Sequence, residues 1–297
     1  MTERQREAPH RAGAAALLGP PNVGKSTLLN AILGTKLAIV TAKPQTTRSR
    51  ILGIHHRPDA QILLLDTPGL HESGKVLNSA LNGSVVSAVE DCDAGLLLVD
   101  ARRGWQPAND RLWEALGAAG KPVVVAITKA DLGDGCPADW PEAVRQLAPV
   151  LPVSALQGEG LEPLLDAVVE VLPESPPLYP EDELTDRSLR WLAAELVREA
   201  LFMELEQELP YQIAVEVTEF DESRRDLVHI RASLLVTRNS QKRIVIGRGG
   251  EVIKRIGIAA RREIEALLES KVHLELWVKV EPRWLKNPER IQSLGYV

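Results

Sequence analysis

Gly19-Pro-Pro-Asn-Val-Gly24-Lys25-Ser26 sets two glycines ahead of a lysine and a hydroxyl. Residues 14–18 before it are an apolar run suited to a strand, and residues 27–33 after it carry helical spacing. A strand, a glycine-bearing turn and a helix in that order place backbone N–H groups at a helix N-terminus, where they turn inward around phosphate oxygens. Lys25 then reaches the β and γ phosphates and Ser26 ligates Mg²⁺, while Gly19, Pro20, Pro21, Asn22, Val23, Gly24 and Thr27 complete the cradle. The bare pattern would occur by accident in a chain of this length about once in a hundred. Its flanking strand and helix make a simple glycine-rich turn a poor account.

Outward from this loop, further apolar runs at residues 61–65, 94–99, 123–127 and 150–153 alternate with helical spacing at 108–119, 138–147 and 161–172. Apolar runs without strict alternation suit strands covered on both faces, so residues 14–172 are expected to form an α/β domain, a mostly parallel sheet between helices, after a flexible N-terminus at 1–13. Pro173-Glu-Ser-Pro-Pro-Leu-Tyr-Pro180 holds four prolines, which neither a helix nor a central strand tolerates, and opens an acidic linker at 173–186. Beyond it the pattern is α+β: a helix at 188–208, strands at 211–220 and 227–236, a glycine-rich break, a helix at 251–270 and a strand at 272–280. Residues 187–297 form this second domain.

The 297 residues carry a net charge of −6, are 44% hydrophobic and 26% charged, and so read as an ordinary globular protein. Two cysteines, Cys92 and Cys136, exclude a disulfide framework or a thiol metal centre. No stretch approaches the roughly 18 apolar residues of a membrane span, and a cytoplasmic location is expected. Charge summed by segment is more telling. Residues 179–226 hold 5 basic and 14 acidic side chains, whereas residues 237–262 hold 8 basic and 1 acidic. The overall balance argues against a polyanionic partner, yet the basic stretch argues for one.

Asp66-Thr67-Pro68-Gly69 ends the apolar run at 61–65. An acidic residue at that strand end can hold magnesium through water, and the Gly69 N–H can meet the γ phosphate. Thr128-Lys129-Ala130-Asp131 follows the run at 123–127; a buried Asp there accepts from both N1–H and the exocyclic amine of guanine and rejects adenine, which lacks that donor pair. Ser154, Ala155 and Leu156, after the last run, support the base through a backbone N–H. Five such elements in this order resemble the GTPase superfamily, which implies GTP and GDP with Mg²⁺. The polar loop Thr41-Ala-Lys-Pro-Gln-Thr-Thr-Arg48 stands where that superfamily keeps its first switch, with Thr47 the first choice and Thr46 the second for the hydroxyl on the metal, beside Ser26 and Asp66. Thr128 replaces the usual Asn, altering a side-chain hydrogen bond worth about 0.5–1.5 kcal/mol. Leu70 replaces a water-orienting glutamine, so hydrolysis is expected to be slow. Lys25, Asn22, Thr47 and Gly69 are the residues expected to act in it. GTPases with Asn at position 22 imply a potassium ion held against the phosphates.

Gly247-Arg248-Gly249-Gly250 follows Lys242, Arg243 and an apolar run ending in Ile246, and precedes Val252, Ile253, Lys254, Arg255 and Ile256. Such a loop lets a nucleic-acid backbone pass close to the main chain while apolar side chains line a groove for bases, and the domain resembles a bacterial-type (type II) KH domain. Trp277 and Trp284 are candidates to stack on bases, with core packing the alternative, above all for Trp277.

Lys43-Pro-Gln-Thr-Thr-Arg48, the connector Tyr179-Pro-Glu-Asp-Glu-Leu-Thr-Asp-Arg187, Glu208-Leu-Pro-Tyr211 and Ser293-Leu-Gly-Tyr296 are similar to segments of the Era family of bacterial GTPases. The resemblance implies a monomeric, GTP-driven switch that binds the 3′ end of small-subunit ribosomal RNA and assists assembly of the small ribosomal subunit. It also implies peripheral membrane association, which no amphipathic anchor in the sequence supports. Two alternatives are a P-loop kinase or ATPase with a small-substrate domain, against which Asp131 speaks, and a signalling GTPase whose second domain binds protein or membrane, which predicts no RNA affinity.

Overall fold

The computed structural model describes residues 9–41, 43, 46–69, 76–133, 140–224 and 226–296. The chain divides into two compact units. One gathers the described parts of Met1–Leu37, Arg50–Glu72 and Leu81–Asp186; the other gathers those of Ala38–Ser49, Ser73–Ala80 and Arg187–Val297. The polar loop of residues 38–49 thus groups with the C-terminal residues, although its sequence neighbours belong to the first unit.

In the first unit, strands β1 (Arg11–Leu18), β2 (Ile51–His56), β3 (Ala60–Asp66), β4 (Ala94–Asp100), β5 (Val123–Thr128) and β6 (Val150–Val153) form a sheet in the order β2-β3-β1-β4-β5-β6. All pairs are parallel except β2 with β3. β3 and β4 are buried along their whole length, as apolar strands covered on both faces must be. Helices α1 (Lys25–Leu33), α2 (Val76–Asp91, of which residues 76–80 are grouped with the second unit), α3 (Pro107–Ala118), α4 (Glu142–Leu147) and α5 (Leu161–Val171) connect the strands. The strand order reverses at β1, and the turns after β1, β3, β5 and β6 therefore open at one edge of the sheet, where such folds bind ligands.

The structure departs from the sequence reading in particulars. β1 begins at Arg11, so residues 11–13 are strand rather than flexible chain, and residues 1–8 lie outside the described residues. β2 and α2 were not expected; β2 is a short edge strand directly after the polar loop. The linker is pinned to the first unit: Leu178 N (2.6 Å) and Tyr179 N (2.9 Å) donate to the side-chain oxygen of Gln61, whose nitrogen donates to the Tyr179 carbonyl (2.8 Å). Gln61 is only 1% exposed, and a buried amide must find partners for both its ends.

In the second unit, α6 (Leu189–Glu204) precedes strands β7 (Ala214–Asp221) and β8 (Leu227–Val236), helices α7 (Asn239–Ile246) and α8 (Glu251–Leu268), and strand β9 (Lys271–Val280). β8 lies in the middle, antiparallel to β7 and parallel to β9. Buried Leu196, Ala200, Ile256, Ala260 and Ile264 bring α6 and α8 onto one face of this sheet. α7 stands where the reading placed only an apolar run, since Ile244-Val-Ile246 has a strand's composition. α9 (Pro288–Ser293) closes the tail, with Arg290 forked onto Glu216 at 2.9 Å for both contacts and bonded to Glu281 at 2.9 Å. No helix among the described residues is long and apolar enough to cross a membrane.

Candidate nucleotide site and nucleic-acid interface

α1 starts directly at Lys25 after Gly24, so its free N–H groups face the loop between β1 and α1. The Lys25 ammonium is 6% exposed and donates to the carbonyls of Gly19 (3.0 Å) and Pro20 (3.1 Å). Burial pulls its pKa down to about 8, with nearby Asp66 working in the opposite direction. Asp66 is fully buried at the end of β3, beside Leu17 of β1, and accepts from the Ser26 hydroxyl at 2.6 Å. Ser26 and Asp66 therefore offer two adjacent hard oxygen donors from two elements, a set that fits Mg²⁺, which takes few protein oxygens and completes its shell with water and phosphate. Bound there, the ion would neutralise phosphate charge during transfer.

The turn after β3 is fitted against the phosphate loop. The Thr67 hydroxyl donates to the Leu17 carbonyl at 2.8 Å, and a Cβ on Gly69 would stand 2.9 Å from both N and Cα of Pro21. Only glycine lets these backbones approach so closely. Leu70 lies outside the described residues, as do Ala42, Pro44 and Gln45 of the polar loop.

Thr128 is better integrated than the sequence implied. Its hydroxyl points at the Val23 carbonyl (2.6 Å), with the Val99 carbonyl at 3.2 Å, and so ties the turn after β5 to the phosphate loop. Lys129 has φ 58, a left-handed backbone uncommon for a residue with a side chain, and donates to the Asn22 carbonyl (2.8 Å) and to Asp100 (2.6 Å). Asn22 has φ 60. Two such residues facing each other across a ligand-binding edge mark backbone held in place by its surroundings. Asp100 went unnoticed in the sequence, although it ends an apolar run as Asp66 does. Burial raises its pKa, but bonds from Lys129 and the Arg102 N–H outweigh this and keep it low. Asp131 is exposed in the short 3-10 turn Ala130–Leu132, not buried as expected. Ser154 is 1% exposed; its N–H donates to the Glu159 carbonyl at 3.0 Å and its hydroxyl accepts from the Gln157 N–H at 3.3 Å, which fixes the turn carrying Ala155 and exposed Leu156.

Thr46 and Thr47 belong to the second unit. Thr46 is 8% exposed, with its hydroxyl 2.7 Å from that of Thr41 and donating to the Lys43 carbonyl at 2.8 Å; Thr47 is half-buried.

In the second unit, Gly247 (φ 76), Gly249 (φ 62) and Gly250 (φ 83) bring the main chain around between α7 and α8. A Cβ on Gly247 would meet Val252 Cγ2 at 2.5 Å and Val252 N at 2.9 Å. Arg248 is exposed in the loop, the α8 N-terminus opens beside it, and Arg243 and Lys254 are exposed nearby, with Lys242 half-buried. Arg255 is exposed and paired with Glu204 at 2.7 Å. A groove runs between α8, through Ile253, Lys254, Gly257, Ile258 and Arg261, and β9, through His273, Leu274 and Leu276. Ile246 and Val252 are half-buried and are not among the residues that line it. Ile256, expected to line it, is fully buried in the core.

Trp284 is also corrected. It is 1% exposed and packs with Ala214, Leu235, Ile291, Leu294 and Tyr296, so it presents no face to a base. Trp277, for which packing was favoured, is 62% exposed on β9. Trp284→Ala is expected to destabilise the protein by about 3–5 kcal/mol, whereas Trp277→Ala should leave the melting temperature essentially unchanged. Thermal unfolding of the two variants checks both.

The family described as "50S ribosome-binding GTPase" matches residues 14–129, and the family described as "KH domain" matches residues 208–285. GTPase Era of Pseudomonas aeruginosa strain PAO1 is 46% identical over 304 aligned positions, spanning 100% of this chain and 99% of its own. The chain belongs to the Era family of GTPases. GTPase Era of Nitratidesulfovibrio vulgaris is likewise 46% identical, over 96% of this chain and 97% of its own. Among solved structures, a point variant of Aquifex aeolicus Era bound to GDP·AlF4⁻ superposes with a TM-score of 0.90 at 40% identity. Era in complex with MgGDPNP and nucleotides 1506–1542 of 16S ribosomal RNA superposes with 0.87 at 39%. Each match covers 97% of this chain and 99% of the other. The fold is therefore the Era fold, a P-loop GTPase domain followed by a KH domain.

Proposed function

We propose that this chain is a Mg²⁺-dependent GTP switch whose KH domain binds the single-stranded 3′ end of small-subunit ribosomal RNA and assists assembly of the small ribosomal subunit. The observation that carries the reading is the pairing, in one chain of the Era family, of the phosphate loop with the groove beside Gly247–Gly250; a relative of the same architecture is bound to Mg-nucleotide and that RNA segment. Lys25, Ser26, Asp66 and Gly69 hold the phosphates and metal, Asp131 reads the base, and Thr47 or Thr46 closes the first switch. The attacking group is water, with no covalent intermediate. Asn22 helps hold a potassium ion against the phosphates; equal turnover in potassium and sodium at matched ionic strength overturns that part. The protein acts as a cytoplasmic monomer, and peripheral contact with the inner membrane face rests on the family resemblance alone.

The test is RNA binding by the full chain. A 3′-terminal 16S RNA oligomer is expected to bind with an affinity that falls steeply with salt, and Gly249→Asp with Gly250→Asp should weaken it by about 100-fold, since two carboxylates would face the phosphates. Binding that ignores both salt and the two substitutions overturns the reading.

A further inference from the structure

α8 runs for 18 residues and carries Gly257 in its interior. Glycine inside a helix is costlier than any residue but proline, because it gives up the most backbone freedom on folding. The fold accounts for the other glycines of this region. Gly247, Gly249 and Gly250 have φ 76, 62 and 83, a left-handed backbone that favours glycine, and a Cβ on Gly247 would also strike Val252. Gly257 has no such reason. Its backbone is helical, and a Cβ there would meet Leu276 Cδ1 at 3.6 Å, an ordinary contact distance; beyond its own turn of helix nothing else among the described residues lies within 4 Å. Neither conformation nor packing therefore requires glycine, and the space a side chain would take is part of the groove between α8 and β9.

The surroundings of that space are those of a base site. Ile253 and Arg261 stand four residues to either side of Gly257, in one row along the helix, and all three line the groove. The row thus reads apolar side chain, gap, cation. Across from it Leu276 is half-buried and packs against the core, so the bottom of the gap is apolar and fixed. A flat ring laid there covers Leu276 and approaches the main chain of α8 more closely than any side chain at position 257 would permit. Arg261 is exposed, and its ion pair with Glu265 is long at 4.0 Å, so a phosphate competes for the guanidinium against a weak partner. Apolar contact for an unstacked base beside a cation for its backbone is how single-stranded RNA is held.

We infer that Gly257 is a specificity-determining position of the groove: its missing side chain is a slot for one nucleobase of the bound RNA, seated against Leu276 between Ile253 and Arg261. This rests on the function proposed above. A helix selected for stability alone would carry alanine at this position, so stability and RNA binding are set against each other at one residue.

The experiment measures binding by the full chain of an RNA of nucleotides 1506–1542 of 16S ribosomal RNA, intact and with single abasic substitutions along its length. Gly257→Ala is expected to weaken binding of the intact RNA by about tenfold, the scale of one displaced base, while the melting temperature stays at or above that of the wild type and GDP affinity is unchanged. Gly257→Leu, with a longer side chain in the slot, should weaken it further. For the wild type, removing the base at one position should cost about the same factor, and in that RNA Gly257→Ala should add less than about twofold, because the two changes remove the same contact. RNA affinity unchanged by Gly257→Ala, a penalty that persists undiminished in every abasic RNA, or a variant that melts below the wild type overturns the inference while leaving the proposed function standing. A wild type that does not bind the intact RNA overturns both.

Discussion

Replacing Lys25 by methionine is expected to weaken GTP and GDP binding by about three orders of magnitude and to abolish measurable hydrolysis. Charge-assisted hydrogen bonds contribute about 1.5–3 kcal/mol each, and loss of two such bonds to phosphate oxygens corresponds to roughly 10³ in affinity. The same lysine gives the reaction a pH signature. Burial holds it at about 8 against an ordinary 10.5, a difference of about 3 kcal/mol between its two protonation states. Because the folded-state value is the lower one, the unfolded chain binds more protons between these limits. Folded stability therefore carries the full burial cost below pH 8 and recovers it as pH rises through 8 toward 10.5. Methionine at this position should accordingly raise the melting temperature of the nucleotide-free protein at pH 7, less the contribution of the bonds to Gly19 and Pro20. Nucleotide phosphates reverse the bias toward the charged form, so binding at pH 8.5 is expected to take up most of a proton. Calorimetry in buffers of different ionisation heat checks this: wild type should show the uptake and Lys25→Met none. Equal uptake by both would sink the assignment of Lys25 to the phosphates.

What the sequence disclosed about the site follows the range of the interactions involved. The phosphate loop, the turn at Asp66 and the turn at Thr128 are local: each sits at a strand end, and the strand is visible as an apolar run. The contacts that hold the polar loop are not. Lys43 meets carbonyls 159 and 162 residues away, and Arg48 meets carbonyls 162 and 165 residues away. Lys43-Pro-Gln-Thr-Thr-Arg48 stands out as a motif, but nothing near it says that its cations point at a helix end and an interstrand connection. α7 shows the opposite failure. Its Ile244-Val-Ile246 favours a strand by composition, and packing of buried Gln241 and Val245 decides for a helix. The two tryptophans exchange their expected places for a similar reason: Trp277 lies on a strand whose core face is filled by Val272 and Val278, whereas Trp284 is covered by a tail whose packing no periodicity foretells.

Asp131→Asn is expected to exchange the base that the protein selects. A carboxylate accepts from both N1–H and the exocyclic amine of guanine, whereas an amide offers one acceptor and a donor that opposes that amine. Xanthine, with a carbonyl where guanine has its amine, complements the amide instead. A site built to hydrogen-bond one pattern rejects the wrong one by about 10³–10⁵ when polar groups are left unmatched. GTP affinity should fall by about 10³, and xanthosine triphosphate should become the tighter ligand. The fold gives this outcome a clean reading. Asp131 is exposed and bears no buried contact that its replacement would break, while the turn that carries it is held independently by the Thr128 hydroxyl on Val23, and by Lys129 on Asn22 and Asp100. Thr128 matters here, because it shows how the turn keeps its tie to the phosphate loop without an asparagine. Competition between the two triphosphates for the wild type and the variant decides the matter. If the variant still prefers GTP, Asp131 is not the residue that reads the base; if it loses both ligands equally, the substitution has disturbed the turn, and the Thr128 tie is weaker than its 2.6 Å contact indicates.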